Sequence, residues 1–174
     1  MEEIVERGVG GVVFRRLVVR VPVANPFKGF RWEERLVEYR RDPLLDRWAR
    51  ICASRAKRPK DVLGPPASGQ GSSGKPCYFC PSRVRTHTPV FQPEIARGGR
   101  IEVGGCVLFP NLFPFAPYHA IGTLTPHHDA SLDDITGRDV ADCLLACREL
   151  FERVLAHDPK ACLLYTSPSP RDRG

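Results

Sequence analysis

Two thiols separated by two residues are the first feature of this 174-residue chain that could do chemistry. They lie in Lys75-Pro76-Cys77-Tyr78-Phe79-Cys80-Pro81, with two aromatic residues between them. A Cys-x-x-Cys turn places both sulfurs on one zinc ion at about 2.3 Å each, and a tetrahedral ion then asks for further ligands. A redox pair opening a helix is the other use of this spacing, but Pro81-Ser82 follow and no helical period begins. The residues that could complete a metal site are His87, Cys106, His119, His127 and His128. His87 lies in a basic, polar segment and reads as a solvated surface residue. His127 and His128 end an expected strand directly ahead of a capped helix, and a fixed backbone is what a metal ligand needs. Cys143 and Cys147 sit on an apolar helical stripe, where a free cysteine is usually a small core residue.

Two further groups suit an anionic ligand. Arg55 and Arg58 bracket Lys57 in Ser54-Arg55-Ala56-Lys57-Arg58-Pro59, directly after an expected strand. Guanidinium groups fork onto phosphate oxygens and stack on bases in ways lysine does not; an exposed basic loop is the plain alternative. Asn111 lies in a proline-punctuated loop over 110–117 and by itself reads as an amide bonding its own turn. The net charge of +6 is dense between residues 31 and 60. That balance points to an anionic partner, a nucleotide phosphate or a nucleic acid, and charge alone does not choose between them.

Several elements must position these groups. A composition of 42% hydrophobic and 26% charged residues is that of an ordinary globular protein. No apolar run of about 18 residues occurs, and the opening Met1-Glu2-Glu3 is not a secretory signal. The expectation is a cytoplasmic protein without a membrane span. Seven cysteines, odd in number and widely spaced, argue against a disulfide framework. Residues 1–37 read as a variable extension, because Gly10-Gly11 and Pro22 interrupt a β-branched run. A turn over 42–47 leads to a strand over 48–53, and the Gly, Ser and Pro content of 60–75 reads as a flexible linker. Residues 100–109 read as one strand with an irregularity at Gly104-Gly105, and 119–125 as the next, paired antiparallel across the proline loop. Ser131 to Asp134 and Thr136 to Asp139 have capping-box form. Val140, Cys143, Leu144, Cys147, Leu150, Phe151, Val154 and Leu155 then set a helical period to about His157, stopped by Asp158-Pro159. Residues 162–174 do not continue any pattern and read as a non-native tail.

Taken in order, four short motifs resemble one family. They are Asp42-Pro43-Leu44 with Trp48 and Ser54-Arg55-Ala56-Lys57-Arg58-Pro59; Cys77-x-x-Cys80-Pro81; Phe109-Pro110-Asn111-x-Phe113-Pro114; and Thr125-Pro126-His127-His128 with Leu132. Together they are similar to the N-terminal half of the galactose-1-phosphate uridylyltransferases, members of the histidine-triad superfamily, over roughly residues 38–160. The resemblance implies an α+β fold, an antiparallel sheet with a packed amphipathic helix, as one half of a two-repeat subunit spanning 38–161 here. It implies a zinc ion held by Cys77, Cys80 and His128. It places Arg55 and Arg58 at the border of a nucleotide site, and Tyr78, Phe79, Asn111 and Leu112 where the family holds uridine and ribose. Leu112 stands where other members carry Asp, which removes a side-chain bond at that position.

The chemistry implied is a double displacement on UDP-glucose and galactose 1-phosphate through a uridylyl-histidine, formed by a His-x-His-x-Gln motif in a subunit that is a homodimer at full length. No such motif occurs in this chain. The expectation is therefore that nucleophile and fourth zinc ligand lie beyond residue 161 and that the chain alone does not turn over. Three other readings compete. One is a phosphorylase or nucleotidyltransferase of the same superfamily acting on ADP-sugars or dinucleoside polyphosphates. Another is a zinc-ribbon-like nucleic-acid binder, which would normally show a second Cys-x-x-Cys, absent here. The third is a zinc-stabilised domain without catalysis.

Overall fold

The computed structural model describes residues 2–57, 77–128 and 130–161. The expected linker over 60–75, the expected tail over 162–174, and Arg58 lie outside the described residues. Two antiparallel sheets and one long helix give an α+β architecture. Strands β1 (Glu2–Arg7), β2 (Val13–Asn25), β3 (Arg31–Arg41) and β4 (Trp48–Ile51) form a four-stranded meander in chain order.

The N-terminal stretch expected to be weakly patterned is thus mostly strand, and the boundary expected between residues 37 and 38 falls inside β3. The period of two explains it: Val19, Val21 and Val23 share one face of β2, opposite Val37 and Arg35 of β3. Val21, Val23 and Val37 are fully buried. The glycines end a strand rather than interrupt one, because Gly10 and Gly11 take φ of 73° and 79° in the turn between β1 and β2. Pro22 is tolerated for a different reason. Strand β1 pairs only as far as Val18, so among the described residues β3 is the strand that pairs with Pro22. A residue without an N–H then costs no bond on the open side.

The turn from β2 to β3 is tied by Asn25, whose Oδ1 accepts from Phe27 N at 3.0 Å while its Nδ2 donates to Glu33 at 3.1 Å. Hydrogen bonds from Lys28 and Asn25, with Arg35 alongside, hold the Glu33 carboxyl down to about 2. The opposite face of this sheet is half-exposed and carries Phe14, Trp32, Leu36 and Ile51.

The second sheet is β5 (Ile101–Val103), β6 (Cys106–Pro110) and β7 (Ala120–Thr123), again in chain order. The single strand expected over 100–109 is in fact a hairpin that reverses at Gly104-Gly105. Gly104 takes φ of 53°, and a Cβ there would lie 1.8 Å from Asp142 Oδ2. Gly105 N donates to the same carboxylate oxygen at 3.2 Å. Backbone conformation and close approach both demand glycine at 104. Strands β6 and β7 pair antiparallel across the proline loop, as their sequences indicate.

Two helices complete the described chain, the one-turn α1 (Val84–His87) and the long α2 (Gly137–His157). Thr136 caps α2 in a capping box: its Oγ1 accepts from Asp139 N at 3.2 Å, and its N–H donates to Asp139 Oδ2 at 2.8 Å. Ser131 and Asp134 form a second box one turn earlier. Ala146, Leu150 and Val154 of α2 pack on Ile101, Cys106 and Leu108, flanked by Cys143 and Cys147. A sheet of three short strands covers only a narrow stripe, so Leu144 and Leu155, expected on the buried face, are 65% and 50% exposed.

That difference predicts unequal costs. Leu150→Ala should destabilise the chain by about 2–5 kcal/mol, and Leu144→Ala by no more than about 0.5 kcal/mol. Urea unfolding of both variants checks this, and equal losses would show that the packed face of α2 has been misassigned.

Candidate functional site

The thiol pair sits in a turn that the backbone holds on both sides. The Cys80 carbonyl accepts from Arg83 N and Val84 N, both at 2.8 Å, and so starts α1. The Cys77 Sγ accepts from Phe79 N at 3.4 Å. The third group arrives from the far end of β7. His127 N donates to Thr125 Oγ1 at 3.2 Å, and His128 then lies between that strand and the first capping box. Its Nδ1 is 3.2 Å from Cys80 Sγ, across 48 residues of sequence. The ligand atoms of Cys77, Cys80 and His128 all lie within 4.8 Å of one another. Two sulfurs and one imidazole nitrogen in that envelope can hold a metal ion, and the amide hydrogen bond to Cys77 suits a thiolate.

The other candidate ligands go elsewhere. Cys106 is a core residue, its thiol pushed up to about 12 by burial and by the neighbouring Cys143. His87 is not a free surface group. Its ring stacks on Tyr78 at 5.7 Å, and Phe27 meets both rings edge-on, at 5.2 Å from Tyr78 and 6.3 Å from His87. Phe27 belongs to the turn between β2 and β3, so this trio ties the thiol turn to the first sheet. Phe79 stacks instead on the buried Phe109 of β6 at 5.8 Å. Tyr78 and Phe79 are each about half exposed beyond these contacts.

A second cluster forms around the loop from β6 to β7. Arg55 leaves a 3-10 turn, Ala53–Lys57, after β4. Its NH1 donates to the Phe113 carbonyl at 2.7 Å, and its guanidinium lies 3.7 Å from the centre of the Phe115 ring. Phe115 stacks in turn on His119 at 5.9 Å. Asn111 Oδ1 accepts from Phe113 N at 2.9 Å, the local turn its sequence suggests. Arg55 and Asn111, singled out separately in the sequence, therefore hold the two ends of one residue, Phe113. Leu112 packs, as Phe115 does, on the buried cluster of Val21, Val23, Val37 and Cys52.

His119 is the residue whose part the sequence did not suggest. It was a candidate metal ligand, yet it keys this loop. Its carbonyl accepts from Asn111 N at 2.8 Å and its Nδ1 accepts from Phe115 N at 3.0 Å. The signal was strand register: Pro110 pairs with Ala120, which sets Asn111 and His119 opposite each other at the loop mouth. Burial, and secondarily the charge of Arg55, push its imidazole below the ordinary 6.5. Two open surface depressions, one lined by Arg97, Arg100 and Arg153 and the other by Arg15 and Arg41, share no residue with either cluster.

Among the described residues no helix is long and apolar enough to cross a membrane. The fold is thus an antiparallel α+β one bearing a Cys-Cys-His group and a stacked Arg-Phe-His loop. The chain is 30% identical over 139 residues to an uncharacterized protein of Archaeoglobus fulgidus, a match covering 77% of this chain and 39% of that protein. It is 26% identical over 152 residues to the ADP-glucose phosphorylase of Arabidopsis thaliana, covering 72% of this chain and 41% of the enzyme. The chain thus spans about two fifths of the length of these curated relatives. No family model matches it, and no solved structure does.

The depressed His119 predicts an acid-sensitive loop. Because the folded pKa lies below the unfolded one, its contribution to stability is full above about 6.5 and is lost as pH falls through the folded value. Urea midpoints at pH 7.5 and 5.5 should diverge more for the wild type than for His119→Asn, and the same divergence in both would remove His119 from the pH dependence.

Proposed function

We propose that this chain carries a zinc clip and part of the nucleotide-binding wall of a histidine-triad-superfamily enzyme acting on nucleoside-diphosphate sugars. The observation that carries the reading is the gathering of separate motifs: Cys77-x-x-Cys80 meets His128, and Arg55 and Asn111 meet at Phe113. The similarity to a plant ADP-glucose phosphorylase supports the same class. The transfer of a nucleoside monophosphate from such a sugar, to a hexose phosphate or to phosphate, is the reaction of that class that we infer for the whole protein.

In this reading Cys77, Cys80 and His128 hold the ion. Zinc suits a donor set of two thiolates and an imidazole, and when bound it would lock the thiol turn to the end of β7 and offset the thiolate charge. Arg55 would supply positive charge at a phosphate oxygen, with its plane fixed by the Phe115 ring. Arg58, from the same motif, is proposed as a second nucleotide-binding residue. Tyr78 and Phe79 would border the base with the ring surface that remains exposed. Asn111 would offer its amide N–H groups, since its Oδ1 is engaged by Phe113 N. Leu112 would shape the wall from beneath. No His-x-His-x-Gln occurs in the chain, so ligand binding, not turnover, is proposed for the chain by itself.

The base is the variable within this class. The ordered motifs resemble uridylyltransferases, which use UDP-glucose with galactose 1-phosphate. The plant relative is named for ADP-glucose, and that makes ADP-glucose the first ligand to test. Calorimetric titration with ADP-glucose and with UDP-glucose should give binding by one of them, competed by the matching nucleoside diphosphate. Equal indifference to both, combined with salt-sensitive binding of RNA or DNA, would replace this reading with the nucleic-acid one.

The clip has its own test. Purified chain should bind about one equivalent of zinc, and Cys80→Ser should weaken it by more than the roughly 10–100-fold typical of outer-shell partners. Competition against a chromophoric chelator measures both, and an unchanged affinity in the variant would place the ion elsewhere.

A further inference from the structure

One contact at the loop mouth has the wrong chemistry to be a hydrogen bond. Asn111 Nδ2 lies 3.4 Å from His119 Nε2. The orientation of the asparagine amide is fixed, because its Oδ1 accepts from Phe113 N. Its Nδ2 is therefore the NH2 group and only donates. The tautomer of His119 is fixed as well, because its Nδ1 accepts from Phe115 N at 3.0 Å. A neutral imidazole whose Nδ1 accepts carries its proton on Nε2. Turning the ring over would put a carbon against the Phe115 N–H. Both nitrogens are thus donors. Two N–H groups this close repel unless one acceptor atom takes both.

We propose that Asn111 Nδ2 and His119 Nε2 form a two-donor pinch for a single phosphate oxygen of the bound nucleotide, with His119 as a further binding residue. An oxygen about 2.9 Å from each nitrogen fits their separation. The neighbourhood favours an anionic oxygen over a neutral one. After burial, the charge that acts on His119 is that of the Arg55 guanidinium. Arg55 reaches the same loop through Phe113 and through the Phe115 ring on which the imidazole also stacks. The imidazole stays neutral in this arrangement and contributes a directed N–H, while the guanidinium contributes charge. This inference rests on the nucleotide-binding reading of the loop.

Two substitutions separate the binding role from the loop-keying role. His119→Asn keeps an acceptor near the Nδ1 position for Phe115 N–H and removes the ε-nitrogen. His119→Gln keeps a donor at ε reach and removes the Nδ1 acceptor. Affinity of the full chain for ADP, UDP and inorganic pyrophosphate is measured by calorimetry, and the wild-type His119 ring nitrogens are followed by 15N NMR. The expected result is a single proton on Nε2, a shift of that signal on adding pyrophosphate or the preferred nucleotide, and about a tenfold or greater loss of affinity in His119→Asn at unchanged urea midpoint. His119→Gln should instead lose stability and keep more of the affinity. Nucleotide binding that leaves the His119 signals unmoved, or that is equal in wild type and His119→Asn, overturns the pinch and spares the proposed function. A response to pyrophosphate but to neither nucleoside diphosphate supports the pinch and sinks the nucleotide reading. Silence towards all three probes overturns both.

Discussion

The described chain is joined at Phe115. Its ring contacts both the Arg55 guanidinium and the His119 imidazole, and it packs with Leu112 against the buried cluster of the first sheet. Burying an aromatic side chain is among the larger favourable terms a small fold can collect. Here that term does two things together. It seals the valine face of β2 and β3, and it draws the loop between β6 and β7 against the turn that follows β4. The stacked rings alone would leave the loop free to slide. The directed bonds from Arg55 to the Phe113 carbonyl and from Phe115 N to His119 fix its register. The sheets consequently meet through a loop that is also the candidate ligand wall.

The second tie is aromatic too. Phe27, Tyr78 and His87 clasp the thiol turn to the corner between β2 and β3, while Phe79 seats it on Phe109 of β6. These contacts hold the turn that carries Cys77 and Cys80, and His128 reaches the same turn from beyond β7. An ion held by Cys77, Cys80 and His128 would add a further tie between that turn and the end of β7.

Much of this was legible residue by residue. The helical period and both capping boxes name α2 correctly, because side-chain caps and a 3.6-residue repeat are local signals. The grouping of Cys77, Cys80 and His128 followed from the family resemblance, with pattern alone leaving five residues open. Besides the strands of the N-terminal stretch, three features escaped. The Gly104-Gly105 reversal looked like an irregularity because the residues on both sides are strand formers, and the positive φ of Gly104 and the approach of Asp142 together require glycine there. The exposed side of α2 depends on how little sheet lies beneath it, which no local pattern encodes. His119 offered two ring nitrogens and a choice of metal or loop, and the choice was made by a backbone N–H four residues earlier. Each miss is a case in which tertiary neighbours, not the segment itself, fixed the outcome.

Pro22 has a consequence for how copies of this chain meet. Beyond Val18 no described strand pairs with the outer edge of β2, where Arg20 and Pro22 are exposed, and an unpaired edge offers its N–H and C=O groups to any extended chain that drifts alongside. A ring nitrogen in the middle of that edge interrupts the row of donors, and the neighbouring Arg20, paired with Glu34, adds charge to it. A second strand could start pairing there but could not run its ladder through. The proline that first looks like a flaw in the strand thus acts as a gatekeeper, separating a sheet that ends from a sheet that grows.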